Sequence, residues 1–317
     1  MKIQNTAVLS ESPIEKPNEL STDLQHLKAI SEYYEQAGPD YEAWSGRYNM
    51  HFGYYRAGIN PFNREAMLEE MNQQIGKRLQ LDKNSPYEIA DLGCGLGATA
   101  RSMALQFPQS QLYGISICPW QVQQARKLNV AAQLQDRVQM MVGDYTIMPF
   151  ADGSLDGCYA IESACYAPGN DKAPLLQEAA RVIKPGGKLV IADGFFKHDR
   201  PQGKLMQRLY RRLSECWVIR EFALLPSFKH ALVKAGFTNV KVEEIGFRVA
   251  PSVTHIPITV MRFLGKELWR TGSLKLNRNR TNNFIGPLLG MLAGLNRSRF
   301  GYYIITATKA GEPKFIM

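Results

Sequence analysis

A chain of 317 residues that is 45% hydrophobic and 21% charged can bury one large α/β domain with an elaborate cap, or two modest domains. Its five cysteines (Cys94, Cys118, Cys158, Cys165, Cys216) show no CxxC or Cys/His ligand spacing, which argues against a disulfide framework or a zinc site and fits a reducing, cytoplasmic setting. The net charge of +9 is uneven: residues 195–317 hold 21 Lys and Arg against 7 Asp and Glu, so the earlier part carries a net −5.

In chain order, residues 1–25 hold prolines and polar side chains without an apolar run, and read as a mobile leader rather than a secretory signal. Residues 26–80 read as an N-terminal lid. Helical spacing over 22–36 and 64–80 flanks the aromatic, glycine-punctuated stretch Tyr41 to Tyr55. From Tyr87 short apolar runs alternate with amphipathic ones: YEIADLG, a helix from Ala98, QLYGIS, a helix from Pro119, VQMMVGD, LDGCYAIES, a helix from Lys172, and KLVIADGF. That alternation is the mark of βαβ units on a parallel sheet, here a core over residues 81–247. After the strand that follows Gly236 comes a basic insertion, residues 248–300, carrying two amphipathic pieces, HIPITVMRFLGKELWR and NNFIGPLLGMLAGL. Residues 301–317 hold a last strand and a tail.

The chemistry starts at Asp91-Leu-Gly93-Cys-Gly95-Leu-Gly97. A glycine turn between a strand and a helix lets the backbone approach a ligand and points a helix N-terminus at it. Gly93, Gly95 and Ala98 also satisfy a dinucleotide fingerprint, but such enzymes end the second strand with a ribose-binding acid, where this chain has Gly114-Ile-Ser116. Asp91 suits a cationic ligand bearing an amino group and a sulfonium, and Asp144, closing the VQMMVGD strand, can accept an adenine amino proton.

The runs ADLGCGLG, GISICPWQ, GDYTIMPFADGSLDGCYAIESACYAP and RVIKPGGKLVIAD resemble class I S-adenosylmethionine-dependent methyltransferases, in the branch of the sterol C-methyltransferases and tocopherol methyltransferases. The resemblance covers residues 30–247. It implies a Rossmann-like α/β fold: a seven-stranded, mostly parallel sheet with an antiparallel last strand, a helical lid and a cap. It implies S-adenosylmethionine as the cofactor. Ser116 and Gln121 would replace the ribose acid, with Cys118 where serine is usual. Asp144 and Tyr145 would border the adenine, and Tyr33 or Tyr34 would close over the cofactor. Ala160-Ile-Glu162-Ser-Ala-Cys165-Tyr166 is similar to the sterol enzymes, with Tyr166 where they carry a histidine, and prenyl-diphosphate C-methyltransferases share the general plan.

An alkene that attacks the sulfonium methyl leaves a carbocation, which needs aromatic faces and a carboxylate. Glu162 is therefore the expected cation stabiliser and base, with Tyr166, Tyr48 and His51 beside it. The expected reaction is C-methylation of an isoprenoid double bond, in a prenyl diphosphate or a sterol-like acceptor. The alternative is N- or O-methylation of a small lipophilic metabolite.

No protein-held metal is expected, and Mg²⁺ enters only with a diphosphate substrate. The basic cap is compatible with an anionic lipophilic substrate, a peripheral membrane contact or a second copy of the chain. Nucleic acid is not an expected partner, since the chain lacks (N/D)PP(Y/F) and the paired cysteines of cytosine-C5 enzymes.

Overall fold

The protein is described here by a computed structural model covering residues 17–201 and 203–311. Most of the expected leader, like the tail from residue 312, lies outside the described residues. The leader's last part is helical instead. Helix α1 (Pro17–Ala37) starts with proline at its first position, where a missing N–H removes no helical bond. A 3-10 turn, Gly38–Ala43, follows, and then α2 (Arg64–Leu79), whose N-terminus is capped by the Asn63 side chain accepting from the Ala66 N–H at 3.0 Å.

Eight strands are found among the described residues. They are β1 (Glu88–Leu92), β2 (Gln111–Ser116), β3 (Val138–Val142), β4 (Leu155–Ile161), β5 (Ile183–Phe196), β6 (Ala223–Leu224), β7 (Phe237–Glu244) and β8 (Phe300–Lys309). Seven form a sheet in the order β3-β2-β1-β4-β5-β8-β7, with β8 antiparallel to both of its neighbours. This is the expected mostly parallel sheet with an antiparallel last strand. The eighth is the two-residue β6, which pairs with Phe195 and Phe196. Strand β5 outruns β4, whose pairing stops at Ala192, and β6 covers the edge left open.

Between the strands run α3 (Ala98–Gln106), α4 (Pro119–Ala131), α5 (Ala173–Val182), α6 (Lys204–Trp217) and α7 (Leu225–Lys234). Helices on both faces bury the central strands on both sides, so Ile89 through Leu92 are all buried. Leu175, Leu176 and Ala179 of α5 pack on one face with Phe228 of α7. Met71, Ile75 and Leu79 of α2 pack on the other with Ala100 and Met103 of α3. Helix α2 is therefore a layer of the core rather than part of the lid, because its apolar stripe has the sheet to bury against.

Between β7 and β8 the chain forms α8 (Gly246–Val253), α9 (Ile256–Thr271) and α10 (Arg278–Leu295). Val249 of α8 joins the core, so the cap proper is α9 and α10. The two amphipathic pieces expected in the insertion are these two helices. Arg280 of α10 binds Asp40 of the 3-10 turn through Nε and Nη2, at 3.0 and 2.8 Å, and Glu267 of α9 through Nη1 at 3.2 Å, tying lid and cap together.

Candidate active site

The strand order reverses between β1 and β4, and ligands of open α/β sheets gather outside the strand ends at such a point. Two cavities open there. The larger, about 430 Å³, has walls from the glycine turn, the ends of β2 and β3, and Leu27, Ile30 and Tyr34 of the lid helix. The smaller, about 180 Å³, lies under the cap. Tyr34, Met50, His51, Glu162 and Tyr166 line both cavities and form the partition between them.

The glycine turn is built for close approach. Gly93 has φ +84°, and a Cβ there would stand 2.4 Å from Ser163 Cβ; Gly97, at φ +74°, turns the chain into α3. The N–H groups of Gly93 and Cys94 both bind the Ile115 carbonyl, at 3.0 and 2.9 Å, which fixes the turn to the end of β2. Gly93 and Gly95 line the larger cavity with Asp91. The Asp91 carboxylate is buried, accepts the Tyr159 hydroxyl at 3.0 Å, and is pushed up to about 7 by burial.

Ser116 donates to Gln121 Oε1 at 2.7 Å and accepts from the Cys118 N–H at 3.1 Å, so the expected Ser/Gln pair exists as a bonded unit on the cavity wall. Cys118 itself turns away, its thiol 3.6 Å from the Ser31 carbonyl. Asp144 and Tyr145 stand on the same wall, and the Tyr145 hydroxyl donates to the Ser163 carbonyl at 2.8 Å. Of the two lid tyrosines only Tyr34 reaches the cavities. Tyr33 is fully buried and donates to Asn283 Oδ1 at 3.0 Å, because its side of α1 packs on α10.

Glu162 follows β4 directly, with φ +51°, an unusual backbone for a residue other than glycine. Its N–H is held by the Ala192 carbonyl at 2.8 Å. Its Oε1 accepts two hydrogen bonds, from the Phe52 N–H and the Tyr302 hydroxyl, both at 2.7 Å. What surface Glu162 retains faces the cavities, and burial pushes its carboxyl up to about 8 against those two donors. Tyr166 lies in the short turn Ala164–Tyr166, its hydroxyl 2.8 Å from that of Tyr34. Tyr48, with φ +62°, lines the larger cavity alone.

His51 is buried with both ring nitrogens engaged: Nδ1 lies 2.9 Å from the Phe52 carbonyl and Nε2 3.1 Å from Asn72 Oδ1. Burial lowers its pKa. Both nitrogens point at protein oxygens, which fixes the ring at the partition between the cavities. Replacing it with glutamine is expected to cost about 1–3 kcal/mol of stability through unsatisfied buried partners. Thermal unfolding should register that loss while turnover number changes less than a few-fold.

Asp193, at the end of KLVIAD, is a site residue that motif reading missed. It lines the smaller cavity, accepts from the Cys165 and Gly194 N–H groups at 3.0 and 2.7 Å, and is raised by burial to about 6. Its signal was an acid inside a buried strand, ahead of the strand's end at Phe196. Lys172 left no such signal. Fully buried, its ammonium donates to the carbonyls of Cys165, Ala167 and Glu221 at 2.8–3.1 Å and holds the Tyr166 turn in place.

The smaller cavity is walled by aromatic side chains, among them Tyr41, Trp44, Trp217, Phe263, Phe284 and Tyr302. Among the described residues three acids line it, Asp40, Glu162 and Asp193, and no lysine or arginine does. Arg280 of the basic cap meets Asp40 from outside this wall.

Residues 90–191 match the methyltransferase-domain family. The chain is 31% identical over 296 residues to the chloroplastic tocopherol O-methyltransferase of Arabidopsis thaliana, covering 89% of this chain and 82% of that one. It belongs to the class I S-adenosylmethionine-dependent methyltransferases. Among solved structures, the methyltransferase is similar to the cyclopropane synthase MmaA2 of Mycobacterium tuberculosis, with TM-score 0.74 at 14% identity over 90% of this chain and 98% of that one. It is also similar to geranyl diphosphate C-methyltransferase from Streptomyces coelicolor A3(2), with TM-score 0.65 at 15% identity over the same shares. At those identities the likeness is one of fold. S-adenosylmethionine is the methyltransferase's cofactor, and the larger cavity offers it a side-chain-free turn, a buried acid and a polar wall.

Proposed function

We propose that the methyltransferase acts on a lipophilic acceptor atom that becomes positively charged as the methyl group arrives, in the first instance a double-bond carbon of an uncharged isoprenoid-like molecule. The observation that carries this reading is the lining of the smaller cavity: aromatic faces, the ionisable carboxyls of Glu162 and Asp193, Asp40 paired with Arg280, and no lysine or arginine among the described residues. Such a wall lowers the energy of a cation and raises that of a phenolate or a diphosphate. An acceptor already anionic, the prenyl diphosphate above all, is therefore the less favoured substrate.

In this reading the larger cavity takes the cofactor. Asp91 faces its cationic end, Ser116 and Gln121 its hydroxyl groups, and Asp144 and Tyr145 its base. When bound, S-adenosylmethionine supplies an electrophilic methyl group on a sulfonium. Glu162, on the partition, keeps Oε1 occupied by Phe52 and Tyr302, so that once the carboxyl is ionised Oε2 is the oxygen that stands against the developing cation and accepts the proton it loses. Tyr34 and Tyr166 close the partition beside it. A dry cavity of roughly 150 Å³ admits benzene. The 180 Å³ here accordingly holds the reactive end of an acceptor, one ring or one prenyl unit, rather than a whole sterol.

A second reading, N-methylation of a lipophilic amine, is favoured by the same acids, since Glu162 and Asp193 suit an ammonium and can take its proton. Purified enzyme with labelled S-adenosylmethionine and a panel of neutral prenyl and sterol alkenes, amines, phenols and prenyl diphosphates tests both. Label is expected in the alkenes. Label in amines alone would select the second reading, and label confined to phenols or diphosphates would sink both.

A further inference from the structure

Helix α9 has two unlike sides. Inward, Ile256, Thr259, Val260 and Phe263 line the smaller cavity. Outward, Ile258, Met261, Leu268 and Trp269 are 49–89% exposed, and at 100° per residue they fall, with Gly265 and Gly272, on one arc of about 100°. Along one edge of that arc run Arg262, Lys266 and Arg270, four residues apart and all exposed. The helix's one acid, Glu267, points inward and is held by Arg270 and Arg280. Arg262 and Lys266 make no ion pair among the described residues, and neither do Lys275 and Arg278, exposed just beyond the helix. The outer face is thus apolar in the middle, basic at its edge, and free of acids.

We infer that this outer face of α9 docks the methyltransferase on an anionic lipid surface, with the apolar arc entering the boundary of the acyl chains and the basic edge meeting the headgroup phosphates. A helix lying in a membrane interface needs that combination, with tryptophan favoured at the boundary. Trp269 is 89% exposed and stands on the arc between Ile258 and Arg262. A second copy of the same face is a poor occupant, because it would set cations against cations with no acid to offset them. Among the described residues no helix is long and apolar enough to cross a membrane, so the contact is peripheral. The inference rests on the proposed lipophilic acceptor for its purpose. The helix that meets the bilayer is also the roof of the acceptor cavity, so a substrate dissolved in lipid reaches it without crossing water.

The full-length protein is sedimented with vesicles of neutral phosphatidylcholine and with vesicles containing one third phosphatidylglycerol, at low and high salt. Binding is expected on the anionic vesicles only, and weakened by salt. Each basic residue near an anionic surface contributes about 1 kcal/mol, so Arg262→Gln with Lys266→Gln is expected to weaken partitioning about 30-fold. Met261→Asp with Trp269→Asp is expected to abolish it. None of these four residues lines a cavity, so S-adenosylmethionine affinity in each variant reports that the fold is intact. Equal binding to both vesicle types, or variants that bind as the parent does, overturns the inference. So does a dimer in light scattering that Met261→Asp with Trp269→Asp dissociates. Because binding is read without turnover, its failure leaves the acceptor reading standing.

Discussion

Glu162→Gln is expected to lower turnover by about 10²- to 10⁴-fold, the range for loss of a positioned general base, while S-adenosylmethionine binds as before. Glutamine keeps the shape, and its carbonyl oxygen can still accept from the Phe52 N–H and the Tyr302 hydroxyl. It loses only the capacity to ionise, and with it the means to carry a negative charge or take a proton. Because Glu162 lines both cavities, the result separates two roles. Rate lost with affinity intact assigns the acid to the acceptor, and affinity lost assigns it to the cofactor.

Acidity supplies an independent check on the same residue. Burial raises the folded-state Glu162 carboxyl from the ordinary range to about 8, so the folded protein binds this proton more tightly than the unfolded chain does. The stabilisation is fully present below the ordinary carboxylate range and is lost as pH rises through about 8. Melting temperature measured from pH 5 to pH 9 should fall more steeply for the parent enzyme than for Glu162→Gln, which has no such proton to lose. Parallel curves would mean that Glu162 is already ionised in the folded state.

Asp91→Asn is expected to weaken S-adenosylmethionine binding by about 10- to 100-fold, in keeping with about 1.5–3 kcal/mol for a hydrogen bond to a charged partner. The carboxylate is buried in the larger cavity, with the Tyr159 hydroxyl as its recorded hydrogen-bond partner. Burial pushes its pKa up to about 7, so a cation binding beside it displaces a proton below that pH. Titration calorimetry should show the parent's affinity tightening as pH rises through about 7, and the variant's lacking that rise. Unchanged affinity in Asp91→Asn would remove Asp91 from the cofactor's contacts.

Much of this protein could be read without coordinates, because its signals are local. The alternation of strand and helix follows from where apolar residues recur, and the turn at Gly93 and Gly97 from positions where a side chain does not fit. Asp91 and Asp144 were legible as acids closing buried strands, and Ser116 with Gln121 through the family resemblance, the two side chains bonding in the fold. Asp193 lies inside β5, in the run RVIKPGGKLVIAD, and was missed because only the fold brings it to the smaller cavity.

What only the tertiary structure decided depends on residues far apart in the chain. Nothing within α1 distinguishes Tyr33 from Tyr34. Asn283, 250 residues away, takes one hydroxyl, and Tyr166, 132 residues away, meets the other. Nothing in the chain around His51 tells that its ring nitrogens point at Asn72 Oδ1 and the Phe52 carbonyl. The basic cap invited an anionic substrate because the sequence reports the number of charges and not the way they face. In the fold Arg280 turns to Asp40 and Glu267, while Arg262 and Lys266 turn outward. The smaller cavity is left with aromatic rings and acids among its described residues. Sequence alone determined the fold and the methyl donor, both written in short-range patterns, whereas the sign of charge that the acceptor meets is set by long-range packing and needed the folded chain.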